Sequence, residues 1–153
     1  MLYLVRHAKA GERAAWKGDD RLRPLSKEGR RQADSLARRL ARLTAGELVS
    51  SPYERCLQTL QPLSAVLRQP VREDARLGEE TGFEGALALI GELPDGSVLC
   101  SHGDVIPETI DALQRRGCVI VGEPNWRKAS VWVLTRDDSG QIAQATAWEP
   151  PEP

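Results

Sequence analysis

Short apolar runs alternate with helical patterns along most of the chain. The apolar runs have the length of buried strands and lie at residues 1–6, 48–50 and 97–101, and residues 71–73 are predicted to form a further, brief strand. Between and after them, apolar residues recur at the three- and four-residue spacing of one helix face. This spacing predicts helices over residues 26–43, 52–67, 83–93 and 105–116. Such an alternation is typical of an α/β fold whose central strands are parallel.

The pattern changes in the last part of the chain. Residues 129–135 and 142–147 are predicted to be strands, and the polar sequence Asp137-Asp138-Ser139-Gly140 between them is typical of a hairpin turn. We expect this hairpin to form one edge of the sheet. The complete prediction is a three-layer α/β/α sandwich with a mostly parallel central sheet and an antiparallel edge.

Length and charge limit the classes of protein that fit. The chain has 153 residues, so we assign residues 1–149 to a single domain and expect the proline-rich end, residues 150–153, to be disordered. Its 21 basic and 22 acidic residues give a net charge of -1. Bulk charge therefore predicts neither a nucleic-acid nor a membrane partner, and any attraction for an anion must be local.

The cellular location is predicted from the amino terminus, the lengths of the apolar stretches and the cysteines. The amino terminus leads directly into a strand, and no apolar stretch has the length needed to span a bilayer. Three cysteines, an odd number, are spread over different elements and fit free thiols in a reducing compartment. They are Cys56, Cys100 and Cys118. We expect a soluble cytoplasmic protein.

Both histidines of the chain stand at the end of an apolar run. His7 follows the run at residues 1–6, and His102 follows the run at residues 97–101. Ligands bind at the carboxyl ends of strands in open α/β sheets. We therefore expect the two imidazoles to share one site.

Two arginines accompany the histidines. Arg6 directly precedes His7, and Arg55 follows the apolar run at residues 48–50. Guanidiniums grip phosphate oxygens two at a time, and a neutral imidazole can accept a phosphoryl group. No compact His, Asp and Glu set has the spacing of metal ligands. The pattern therefore predicts a phosphatase that needs no metal and no other cofactor.

Four blocks of sequence follow one another along the chain. The blocks are Leu4-Val5-Arg6-His7-Ala8-Lys9-Ala10, then Arg23-Pro24-Leu25-Ser26 with Gly29 and Gln32-Ala33, then Ser50-Ser51-Pro52 with Arg55 and Gln58-Thr59, and finally Ser101-His102-Gly103. In this order they resemble the signatures of the histidine phosphatase superfamily, whose fold is phosphoglycerate mutase-like. The Arg-His-Ala-Lys opening and the short chain resemble the SixA-type phosphohistidine phosphatase branch. Residues 100–106 also resemble histidine phosphatase domains that are fused to Nudix hydrolases.

The resemblance implies a role for each candidate residue. His7 would be the nucleophile, and Arg6, Arg55 and His102 would hold the transferring phosphoryl group. Gly103 would let the backbone approach the substrate closely.

The general acid is left open between three alternatives. Leu77-Gly78-Glu79 resembles the context in which many members of the superfamily carry a glutamate that protonates the leaving group. Glu79 is therefore the candidate, and the adjacent Glu80 could take its place. The SixA-type branch often lacks this glutamate, so a solvated Glu79 without a catalytic role is the third alternative.

The expected function is that of a metal-independent hydrolase that forms a phosphohistidine intermediate. Its substrate would be a phosphohistidine protein or a small phosphomonoester. One alternative is a nucleotide phosphatase related to the Nudix-linked domains. Another is a catalytically silent phosphate-binding module, although the presence of all four pocket residues argues against it.

Overall fold

The computed structural model describes residues 1–152, which form a seven-stranded sheet between two layers of α-helices. The strands are β1 (Leu2–Arg6), β2 (Leu48–Ser50), β3 (Val71–Glu73), β4 (Val98–Ser101), β5 (Val119–Ile120), β6 (Val131–Arg136) and β7 (Ile142–Trp148). The helices in the described residues are α1 (Lys27–Leu40), α2 (Glu54–Leu67), α3 (Glu84–Glu92) and α4 (Val105–Arg115). The predicted α/β class is confirmed.

The strand order in the sheet is β3-β2-β4-β1-β6-β7-β5. Strands β3, β2, β4 and β1 are parallel to one another, whereas β6 is antiparallel to both β1 and β7. The predicted hairpin is therefore present and lies on the antiparallel side. It is not outermost, however, because β5 pairs in parallel with β7 beyond it. The sequence analysis missed β5, since a strand of two residues has no measurable periodicity.

Alternate residues of β1 face opposite helical layers. Leu2 and Leu4 belong to the core formed with α3 and α4, whereas Tyr3 and Val5 belong to the core formed with α1 and α2. Because both faces of the strand are covered, β1 is a continuous apolar run and does not alternate with polar residues. This arrangement is the predicted three-layer sandwich.

Two helix boundaries differ from the prediction by more than one residue. The side chain of Ser26 caps α1 by accepting a hydrogen bond from the Gly29 amide at 3.0 Å. Helix α1 ends at Leu40, and a turn follows it. Leu43, which was predicted to lie on the apolar face of this helix, is in the turn and is 40% exposed. Helix α2 begins at Glu54, two residues after Pro52.

No helix in the described residues is long and apolar enough to cross a membrane. Near the carboxyl end, Pro151 is buried and Glu152 is exposed. Pro153 lies outside the described residues, and the disorder predicted for residues 150–153 stays a prediction.

Candidate active site

Adjacent parallel strands deliver the candidate residues to one edge of the sheet. Arg6 of β1 is in register with Ser101 of β4, and Ser50 of β2 is in register with Cys100. The residues that follow these three strands, His7, His102 and Ser51, therefore emerge side by side. The two histidine rings lie edge to face, with centroids 5.4 Å apart. The structure thus brings the two imidazoles of the chain together.

His7 is held as a neutral imidazole in one tautomer. Its Nδ1 lies 2.8 Å from the carbonyl oxygen of Ala8. A carbonyl oxygen can only accept, so Nδ1 carries the proton and Nε2 keeps its lone pair. Burial is the main cause that lowers the pKa of His7 to about 3, and neighbouring basic groups lower it further against the opposing effect of the Ala8 bond. His7 is therefore neutral near neutral pH, with a lone pair on Nε2.

His102 presents its opposite ring nitrogen. Its Nε2 lies 2.8 Å from the Ser51 hydroxyl oxygen, which also accepts a hydrogen bond from the Tyr53 amide at 3.2 Å. The Ser51 hydroxyl hydrogen is thus free to point to Nε2, and we assign the ring proton to Nδ1. That Nδ1 is buried and has no hydrogen-bond partner within residues 1–152. His102 can therefore offer one N–H donor to a ligand.

Arg6 packs directly against Gly103. A Cβ at position 103 would lie 2.6 Å from the Arg6 guanidinium carbon, so a larger residue would force this guanidinium to shift. Gly103, which we expected to let the backbone approach the substrate, lines the cavity next to Arg6. The guanidinium donates through Nη1 to the carbonyl of Trp126 at 2.6 Å, and its buried Nε has no partner in the described chain.

Arg55 lies in the first turn of α2 and is fully buried. Its Nη1 donates to the Asp20 carbonyl at 2.9 Å, and its Nη2 donates to the carboxylates of Asp20 at 3.1 Å and Glu79 at 3.2 Å. Its Nε is buried and unpartnered in the described residues. The Asp20 carbonyl and two carboxylates therefore occupy the Nη side of Arg55, and Nε is the nitrogen of the group that has no partner.

Glu79 and Glu80 have different positions. Glu79 lines the cavity beside His7 and accepts hydrogen bonds from Arg13 at 2.9 Å and Arg55 at 3.2 Å. Glu80 is exposed, has a left-handed φ of 65° and donates its amide to Asp104 at 2.8 Å. Its side chain is not part of the cavity lining. Of the two candidate acids, only Glu79 stands beside His7.

A cavity of about 520 Å³ opens over His7, and basic groups dominate its charged lining. The basic residues are Arg6, Lys9, Arg13, Arg23 and Lys128. The acidic residues are Glu12, Glu79 and Asp104. Arg55 and His102 do not line it and stand buried behind its wall. The excess of positive charge favours an anionic ligand, although the whole chain is close to neutral. Within residues 1–152, no three His, Cys, Asp or Glu side chains cluster so as to hold a metal ion.

Three residues of the site carried no separate assignment in the sequence analysis. Ser51 was named only as part of the Ser50-Ser51-Pro52 motif. Its place directly after β2 puts it at the same sheet edge as the histidines and could have identified it as a site residue. Asp20 holds Arg55 from the loop that overhangs the cavity, and Lys128 lines the cavity from the segment before β6. No local pattern marks these two, since loop positions depend on tertiary contacts.

Comparison with known proteins agrees with this arrangement. The family model described as "Histidine phosphatase superfamily (branch 1)" matches residues 2–86. An 8-oxo-(d)GTP phosphatase of Mycolicibacterium smegmatis is 37% identical over 155 residues, which cover 97% of this chain and 48% of that protein. The chain thus spans about half the length of this curated relative.

Two solved structures extend the comparison. The protein histidine phosphatase SixA complexed with tungstate superposes with a TM-score of 0.70 at 25% identity, over 98% of this chain and 96% of that one. A mycobacterial glucosyl-3-phosphoglycerate phosphatase in complex with VO3 has a TM-score of 0.66 at 18% identity, over 97% and 98% of the two chains, and shares the fold. With more than half of its residues matched by the family model, the chain belongs to the histidine phosphatase superfamily.

Proposed function

We propose that this chain hydrolyses phosphomonoesters through a phosphohistidine formed at His7. The observation that carries the proposal is a set of buried donors at the site. Arg6 Nε, Arg55 Nε and His102 Nδ1 each lack a hydrogen-bond partner in the described residues. A buried N–H without an acceptor is costly, so such groups call for a ligand. A phosphoryl group has three non-bridging oxygens, one for each donor.

The proposed reaction begins with attack on phosphorus by the lone pair of His7 Nε2. The bond from phosphorus to the leaving oxygen breaks in line, and its electron pair goes to that oxygen. The ring gains positive charge as the bond from nitrogen to phosphorus forms, and the Ala8 carbonyl, 2.8 Å from Nδ1, stabilises this charge. Arg6, Arg55 and His102 stabilise the charge on the transferring group. Water then attacks phosphorus, and release of phosphate restores neutral His7.

Glu79 is the proposed proton donor to the leaving oxygen. Its carboxylate lines the cavity and is held by two guanidiniums in the free protein. A bound phosphoryl group would compete with this carboxylate for Arg55. In the second step, Glu79 would take a proton from the attacking water.

Two substrate classes have support. A phosphohistidine protein or a small phosphomonoester fits the likeness to SixA, whose structure holds tungstate, a phosphate-like oxyanion. A nucleotide substrate is favoured by the 37% identity with an 8-oxo-(d)GTP phosphatase. Comparing kcat/KM for a phosphohistidine peptide and for nucleoside diphosphates separates the two, because the class that the site serves should be turned over with the higher value.

Substitution of the nucleophile tests the proposal. His7→Ala should lower turnover of p-nitrophenyl phosphate by on the order of a thousandfold or more, because the step that forms the intermediate is lost. Circular dichroism should give a folded spectrum for the variant, and a chelator should leave wild-type turnover unchanged. Retained turnover in His7→Ala would remove His7 from the chemistry.

A further inference from the structure

Lys128 differs from the other basic residues that line the cavity, because it forms neither an ion pair nor a side-chain hydrogen bond within the described chain. Three of the others are paired with carboxylates. The pairs are Lys9–Glu28 at 2.8 Å, Arg13–Glu79 at 2.9 Å and Arg23–Asp20 at 2.8 Å. Arg6 donates to a carbonyl oxygen. The Lys128 ammonium therefore stands at the cavity without an acceptor from the protein.

The backbone beside Lys128 is hydrogen-bonded to the end of β1. The amide of Ala129 lies within hydrogen-bond distance of the carbonyl oxygens of Arg6, at 3.1 Å, and His7, at 3.2 Å. Ala129 is fully buried and has a φ of 67°, a left-handed conformation that is unfavourable for a residue with a Cβ. Strain of this kind persists where the surrounding structure enforces it, often at a functional site. The position of Lys128 relative to His7 is thus determined by the fold.

The surroundings of Lys128 are electropositive. Burial and the charges of nearby arginine and lysine side chains lower its pKa, and Arg6 is the foremost of these neighbours. An anion bound beside Lys128 would relieve this repulsion. The structure supplies no such anion from its own side chains.

In the proposed reaction, the three buried donors described above bind the three non-bridging oxygens of the reacting phosphoryl group, whereas Lys128 is exposed at the cavity wall. We propose that Lys128 binds a second phosphate, carried by the leaving group, so that the site favours substrates in which the reacting phosphoryl group is joined to another phosphate. A nucleoside diphosphate or triphosphate has this form. The inference rests on the proposed phosphatase function and names Lys128 as the residue that binds the leaving group.

The test compares binding of two inhibitors by calorimetry, which does not depend on turnover. Imidodiphosphate carries two phosphates on a bridge that resists hydrolysis, and orthophosphate carries one. Lys128→Ala should weaken imidodiphosphate binding by on the order of tenfold and orthophosphate binding by less than about threefold, because one charge-assisted contact is lost from the second phosphate alone. Arg127→Ala is the matched control, since it removes the same charge from the neighbouring exposed residue, which does not line the cavity. Its ratio of the two affinities should equal that of the wild type.

Three outcomes would overturn the inference. If Lys128→Ala weakened the binding of both inhibitors equally, Lys128 would act on the reacting group or from outside the site. The same selective loss in Arg127→Ala would reduce the effect to long-range charge. An equally large loss of affinity for 2-phosphoglycolate would assign Lys128 to carboxylates as well as phosphates. Failure of the wild type to hydrolyse any phosphomonoester, phosphohistidine peptide or nucleoside diphosphate would instead defeat the proposed function, and the calorimetric comparison would still be readable.

Discussion

The reactivity of His7 depends on a single carbonyl oxygen and on burial. Ala8 fixes the proton on Nδ1, and burial keeps the ring neutral, so Nε2 holds its lone pair over the whole physiological pH range. An exposed histidine would be partly protonated near neutrality and would lose nucleophilicity in proportion. Ser51 acts in the same way on His102, by turning its other nitrogen into the donor.

The variant Glu79→Gln tests whether Glu79 donates a proton or only positions Arg55. We expect the variant to slow hydrolysis of an alkyl phosphate at least about tenfold more than hydrolysis of p-nitrophenyl phosphate, because only the poor leaving group needs the proton. The measurement is kcat/KM for both substrates in both proteins. Glu80→Gln is the control, since Glu80 does not line the cavity.

A uniform loss with both substrates would contradict proton donation. It would leave Glu79 as a residue that positions Arg55 through the contact at 3.2 Å.

At the level of elements, apolar runs were the reliable signal. The bounds predicted for β2 and β3 agree with the structure, and both histidines were located from the strands that precede them. Contacts made by residues between the main elements were beyond prediction. The ion pair between Asp20 and Arg55 joins a short 3-10 helix, Asp20–Leu22, to a residue 35 positions further along the chain in α2, and no local pattern encodes it. The position of Gly103 beside Arg6 requires the β1–β4 pairing to be known.

The whole molecule combines a nearly neutral chain with a basic cavity. The net charge is -1, yet five basic and three acidic residues line the space over His7. Composition alone therefore predicted that no nucleic acid or membrane binds through the overall charge. It could not predict the positive potential of the cavity over His7. The fold creates that field by bringing strand ends and loops to one edge of the sheet.

Burial of neutral His7 links the stability of the whole molecule to pH. The pKa of His7 is about 3 in the folded state, against an ordinary value of 6.5 in the unfolded chain. Between these values the unfolded chain binds a proton that the folded chain does not, so the free energy of unfolding falls as the pH falls. From about pH 6.5 to about pH 5, we expect the wild type to lose on the order of 1 to 2 kcal/mol more than His7→Gln. Urea denaturation of both proteins at each pH measures this difference, and parallel losses would contradict it.

The central claim is that a phosphoryl group passes through His7, and trapping the intermediate tests it most directly. Wild-type protein is mixed with substrate labelled at phosphorus, quenched in alkali, in which phosphohistidine is stable, and digested for peptide mapping. The account predicts an alkali-stable, acid-labile label on the peptide that contains His7 and no label in His7→Ala. Turnover without a labelled protein, or a label on the peptide that contains His102, would contradict it.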